Sequence, residues 1–178
     1  VLPAGKLGAI AVKLPLPPSC LSTIWGADGA YVEKYLTSFP GYYETGDAGY
    51  CDEDGYLYIM ARTDDVINVA GHRLSTGQLE EVLADHPDIA ECAVIGVADQ
   101  LKGQLPLGLI CLYPNCNRLQ GDIMAEAIAL VKDRVGRVSS FNLIVVIERL
   151  PKTRSGKVLR GTMAKIADGE NWNMPATI

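Results

Sequence analysis

Apolar and polar positions alternate over residues 7–13, which predicts a strand. Pro15, Pro17 and Pro18 then make 14–22 an extended loop. A short helical spacing over 31–36 is broken by Phe39-Pro40-Gly41. Asp52-Glu53-Asp54-Gly55 predicts a hairpin turn with 46–51 and 56–61 as its strands, and the Tyr and Met positions of 56–60 read as strand packing.

Beyond Arg62 the pattern changes character. Residues 64–74 predict a second hairpin, and Ser75 or Thr76 caps a helix to about residue 85 whose buried face carries Leu79, Val82 and Leu83. Apolar runs over 89–97, 107–113 and 141–147 predict three strands. Between the last two lies a helix over 122–135, with Ile123, Ala127, Leu130 and Val131 as its stripe, and a final helix covers 158–167. The expected fold class is α+β, a mixed sheet with helices packed on it from residue 64 to 178. Residues 1–63 lack a complete core of their own, so the boundary is set at 63/64.

Composition narrows the function classes. Sixteen basic against twenty-one acidic residues give a net charge of −5, which argues against a nucleic-acid or anionic-membrane surface. The apolar runs are far too short to span a bilayer. Five cysteines without a C-x-x-C pair fit reduced thiols in an intracellular compartment, and two histidines make a zinc site unexpected; no metal ligand is assigned.

The chemistry concentrates in Pro151-Lys152-Thr153-Arg154-Ser155-Gly156-Lys157, a basic loop between a strand and a helix. An ammonium there could neutralise charge developing on a phosphoanhydride or carboxylate. A Walker loop is excluded, since Pro151 stands where its first Gly belongs and Val158 where its Ser or Thr belongs. Taken alone, the loop reads better as an ordinary solvated basic turn.

Three further segments change that reading: Tyr42-Tyr43-Glu44-Thr45-Gly46-Asp47, the run from Gly55 through Arg62 and Asp64 to Asn68, and Val69-Ala70-Gly71-His72-Arg73-Leu74. Their order, with Lys157 following Arg73 by 84 residues, resembles the acyl-adenylate-forming superfamily along essentially the whole chain, and within it the acetyl- and propionyl-CoA synthetases. The resemblance implies a C-terminal fragment of an ATP-dependent, AMP-forming short-chain acyl-CoA synthetase. Residues 1–63 would be the last piece of the large N-terminal domain, and 64–178 the mobile lid that docks on it. ATP, CoA and Mg²⁺ are the implied cofactors, held mainly by the missing part, and small molecules the implied partners. The fragment alone is expected to be inactive.

Residue by residue, the resemblance makes Lys157 the adenylating cation, and Asp47 and Arg62 ribose contacts. It makes Arg73 a phosphate contact, Asp64 the hinge, and Gly71 with Lys132 the CoA-binding positions. Each has a plainer reading: a turn aspartate for Asp47, a structural salt bridge for Arg62, a hairpin end for Asp64 and Gly71, a charged helix face for Lys132 and Arg134. Lys132 replaces an Arg of the acetyl-CoA synthetases and supplies a point charge but no bidentate fork. Ala61 stands where the family carries Gly. His72 reads as a packing or hydrogen-bonding residue, Asp65 as a cap or surface acid. The implied compartment is the bacterial cytoplasm or mitochondrial matrix, and the implied regulation is acetylation of Lys157. Alternatives are a silent CoA- or nucleotide-binding regulatory module, or the lid of another adenylate-forming ligase. A peptide-synthetase domain is disfavoured, because the end at Ile178 shows no carrier-protein serine motif.

Overall fold

The computed structural model describes residues 1–174, the Asp64 side chain excepted, so the expected domain end at Ile178 lies outside the described residues. The chain splits into two compact units, Val1–Thr63 and Asp64–Ile178.

In the first unit β1 (Gly8–Lys13), β2 (Tyr42–Cys51) and β3 (Leu57–Arg62) form an antiparallel sheet in that order, and α1 (Asp28–Tyr35) lies between β1 and β2 in sequence. Asp52 makes the β2–β3 turn, because its Oδ1 accepts from the N–H groups of Asp54 (3.1 Å) and Tyr56 (2.8 Å). Strand β2 starts four residues earlier than its alternation predicts, since Tyr42 and Tyr43 pair with Lys13 and Val12. Tyr31 and Ala48 are the buried apolar side chains here among the described residues, and the Tyr31 hydroxyl donates to the Leu21 carbonyl (3.0 Å). The expected packing of 56–60 is not found. Tyr56, Leu57, Tyr58, Ile59 and Met60 are all exposed, because β3 is the edge strand and pairs with β2 alone. Tyr58 gains only a stack on Tyr50, with centroids 4.9 Å apart.

A 3-10 turn at Thr63–Asp65 carries the chain across the 63/64 boundary, ahead of the hairpin β4 (Val66–Val69) and β5 (His72–Ser75). α2 (Thr76–Ala84), β6 (Ile89–Asp99), β7 (Gly103–Leu112), α3 (Gln120–Arg134), β8 (Leu143–Val146) and α4 (Arg160–Ala167) follow. The sheet order is β5-β4-β7-β6, and β8 pairs with β7 in parallel. Ser75 does not cap α2 with its side chain, because it is still strand, paired with Val66. Strand β7 begins ahead of its predicted start because β6 pairs with it from Gly103 onward, even across Pro106, a residue that disfavours strand, opposite Gly96.

Alternation along β6 and β7 sends side chains to two cores. Val94 and Ile110 join Leu79, Leu83, Ile123, Ala127, Val131 and Phe141 beneath α2 and α3. Ala93, Ile95, Leu109 and Cys111 meet Leu150 of the lysine loop's entry and Met163 of α4 on the other face. A sheet covered on both faces needs continuous apolar strands, which is why 89–97 and 107–113 read as runs rather than alternations. Ile110→Val, at a side chain with no exposure, is expected to cost about 0.5–1.5 kcal/mol in denaturant unfolding.

Candidate functional site

Asp47 and Arg62 are directly opposed in the β2–β3 register, with Arg62 Nη1 3.7 Å from Asp47 Oδ1. The turn before them is tied down by Thr45, whose hydroxyl donates to the Ile10 carbonyl (2.9 Å) and accepts from the Asp47 N–H (3.1 Å). The Thr63 hydroxyl donates to the Gly46 carbonyl (3.1 Å). Gly46 is favoured here by its φ of +78°, and a Cβ would come 2.9 Å from Arg62 Nη2 and push the guanidinium aside. A carboxylate and a guanidinium, 32% and 55% exposed, thus sit side by side on a braced turn. Such a pair offers an acceptor and a planar donor fork to a polyol or phosphate. The plainer reading of Arg62, a structural salt bridge, is also satisfied by this ion pair.

The sites of the second unit lie apart from one another. Asp64 is in the 3-10 turn that begins the unit, and its side chain lies outside the described residues. Ala70 and Gly71 form the two-residue β4–β5 turn with φ of +49° and +87°, the signs a tight hairpin turn demands. His72 and Arg73 follow on β5, both exposed, which leaves His72 the hydrogen-bonding half of its expected role rather than the packing half. Lys132 is exposed in the last turn of α3, on the face opposite the lysine loop. Arg134 beside it is ion-paired with Asp85.

The Lys157 loop is held at both ends. Lys152 and Val158 form a β-bridge, the Leu159 N–H donates to the Pro151 carbonyl (3.0 Å), and Lys152 Nζ is 2.7 Å from Glu91 Oε1. Between these anchors the Thr153 N–H donates to the Lys157 carbonyl (2.8 Å) and the Lys157 N–H to Thr153 Oγ1 (3.1 Å). Among the described residues no ion pair or hydrogen bond engages the Lys157 ammonium, which is exposed. The backbone is fixed and the charge is presented.

Sequence reasoning missed one cluster. Asp65, expected as a cap or surface acid, lies 3.8 Å from Arg160 Nε, and Arg160 forks onto Glu80. The only sequence signal was three charged residues scattered among apolar ones. Near it, Cys92 donates to the Glu80 carbonyl (3.4 Å), and burial followed by the Glu80 charge pushes its thiol up to about 11. Alkylation at pH 8 is expected to label exposed Cys20 and Cys51 well before Cys92, whose thiolate fraction there is about a thousandth. Mass mapping of a timed iodoacetamide reaction checks the order.

Residues 78–157 match the family model described as AMP-binding enzyme C-terminal domain. Over 99% of its length the chain is 55% identical to an uncharacterized protein of Pseudomonas aeruginosa, 28% of which is covered. Over the same share it is 46% identical to acyl-CoA synthetase short-chain family member B, mitochondrial, of Dictyostelium discoideum, 26% of which is covered. Among solved structures, the ATP-bound RpMatB-BxBclM chimera B1 aligns with 93% of this chain and 31% of its own, at a TM-score of 0.71 and 25% identity. The chain thus spans about a quarter of the length of the curated relatives it matches. Among the described residues no helix is long and apolar enough to cross a membrane.

Proposed function

We infer, for a chain that belongs to the AMP-binding enzymes as the C-terminal part of an acyl-CoA synthetase, that the intact parent activates a short-chain carboxylate, propionate or acetate, in two half-reactions. In the first, a carboxylate oxygen attacks the α-phosphorus of ATP, the bond to the β-phosphate oxygen breaks, and pyrophosphate leaves. In the second, the CoA sulfur, its proton lost, attacks the acyl carbon, and AMP leaves with the electrons of the broken C–O bond. Residues 1–63 are the end of the large domain, and residues from Asp64 onward are the lid that turns about this position and docks on it. The parent works inside the cell, in a cytoplasm or a mitochondrial matrix.

The observation that supports this reading most is the Lys157 ammonium, exposed on a backbone pinned at both ends. A fixed cation costs little reorganisation when negative charge grows on the α-phosphate. Asp47 accepts the ribose hydroxyls and Arg62 donates beside it, while Arg73 contacts phosphate. Gly71 leaves a path for the pantetheine arm, and Lys132 meets the CoA phosphate as a point charge. Mg²⁺ accompanies ATP in this chemistry, but among the described residues no three His, Cys, Asp or Glu side chains gather to hold it, and no step here runs through it.

The test is product analysis of the full-length parent with ATP, CoA and acetate, propionate or butyrate in turn. The expected products are acyl-CoA, AMP and pyrophosphate, and ADP in place of AMP would sink the reading. The chain 1–178 assayed by itself is expected to release no AMP above a Lys157→Ala control.

A further inference from the structure

We propose that Arg160 is a positioning residue for adenylation: it clamps the exit of the Lys157 loop to α2 and to the turn that opens the second unit. The inference rests on the reading of Lys157 as the adenylating cation. Arg160 is the first residue of α4, three positions after Lys157. Its Nε and Nη2 donate to Glu80 Oε1 at 3.1 and 3.0 Å, and Nη2 also donates to Glu80 Oε2 at 2.8 Å. On its other side Nε lies 3.8 Å from Asp65 Oδ1.

Three features separate this clamp from an ordinary surface ion pair. The side chains of Arg160, Glu80 and Asp65 are 28%, 17% and 26% exposed, so water screens them weakly. The fork on Glu80 fixes direction as well as distance, which a lysine cannot do. Glu80 is itself held, because its Oε1 accepts the Val94 N–H (2.8 Å) from the middle of β6. The chain of contacts therefore runs from the middle of β6, an outer strand of the sheet, through Glu80 to Arg160, the residue two peptide bonds beyond Val158.

Position decides what the clamp does. The loop's entry is already pinned by Lys152 to Glu91 and by buried Leu150. Arg160 pins the exit. Asp65 adjoins Asp64, the position assigned as hinge, so the same guanidinium ties Lys157 to the segment about which the lid turns. Rotation at Asp64 is then delivered to Lys157 without slack. A reacting group displaced by about 1 Å loses up to roughly a hundredfold in rate, and an unclamped exit permits such a displacement.

The test uses the full-length parent and the variants Arg160→Lys and Glu80→Gln, with each half-reaction measured separately. Arg160→Lys is expected to lower kcat for adenylation by about tenfold or more, within the hundredfold ceiling for misplacement. Its KM values for ATP and carboxylate should move much less, and thioester formation from supplied acyl-adenylate should stay within about twofold, the scatter of independent effects. Glu80→Gln keeps the shape and should give the same pattern in a weaker form, which preserves the test if Arg160→Lys folds poorly. In a Lys157→Ala background Arg160→Lys should cause no further loss of adenylation. An equal fall in both half-reactions, an unchanged adenylation rate, or a loss that adds fully to that of Lys157→Ala would overturn the proposal. A Lys157→Ala parent that adenylates normally would instead remove the reading of Lys157 on which the proposal stands.

Discussion

Lys157→Ala in the full-length parent is expected to slow adenylation by about a hundred- to a thousandfold while leaving thioester formation from supplied acyl-adenylate largely intact. One charge contact in a closed, dry site is worth about 2.7–4 kcal/mol, which sets that range. The fold should survive the change, because the Lys157 side chain is exposed and the loop is closed by its backbone, through Thr153 and Gly156, rather than by its ammonium. Acetylation of Lys157 removes the same charge and should reproduce the loss. Pyrophosphate exchange for wild type, Lys157→Ala and acetyl-Lys157 reads the effect directly, with thermal unfolding alongside to show that the lid is intact.

Gly71→Leu should act on the other half-reaction. The turn is open at this point, for a Cβ on Gly71 meets nothing within 4 Å. A leucine there costs backbone strain of about 1–3 kcal/mol at φ +87°, and it fills the space in front of the turn. If the pantetheine arm passes over Gly71, the thiol is displaced and thioester formation should fall by about a hundredfold, the penalty for a misplacement near 1 Å. Adenylation should fall much less. Gly71→Ala separates the two causes, since it carries nearly the same strain without the bulk. Thioester yield close to that of Gly71→Leu would assign the loss to the backbone rather than to a blocked path.

Much of the fold was legible because burial leaves a period in the sequence. The stripe Ile123, Ala127 and Val131 is buried as its spacing required, with Leu130 half-buried at its margin. The strands buried on both faces announced themselves as apolar runs at Val94, Ile95, Leu109 and Ile110. Errors arose where neighbours in space override local pattern. Tyr42 and Tyr43 belong to β2 because β1 supplies their partners, which no window of β2 alone contains. The apolar run of β7 starts at Leu107, yet β6 holds the strand back through Pro106 to Gly103. Residues 56–60 look like a packed strand but lie on a sheet edge with their side chains exposed.

The site was legible in a different way. The expected hairpin and the family resemblance put Asp47 and Arg62 near one another, and the register places them directly opposite. The Lys157 loop could be found from its residues, but its bracing through Lys152, Glu91 and Leu159 arises only in the folded chain. Asp65, Glu80 and Arg160 were invisible as a group. They are separated by up to 95 positions, from 65 to 160, and only the stacking of α2 and α4 about β6 joins them.

One lid presenting two faces in turn is tested most directly by measuring pyrophosphate exchange and thioester yield side by side for Lys157→Ala and Gly71→Leu in the full-length parent. The expected result is a crossed pattern, with Lys157→Ala defective in the first and Gly71→Leu in the second. Parallel losses in both assays for both variants would contradict it.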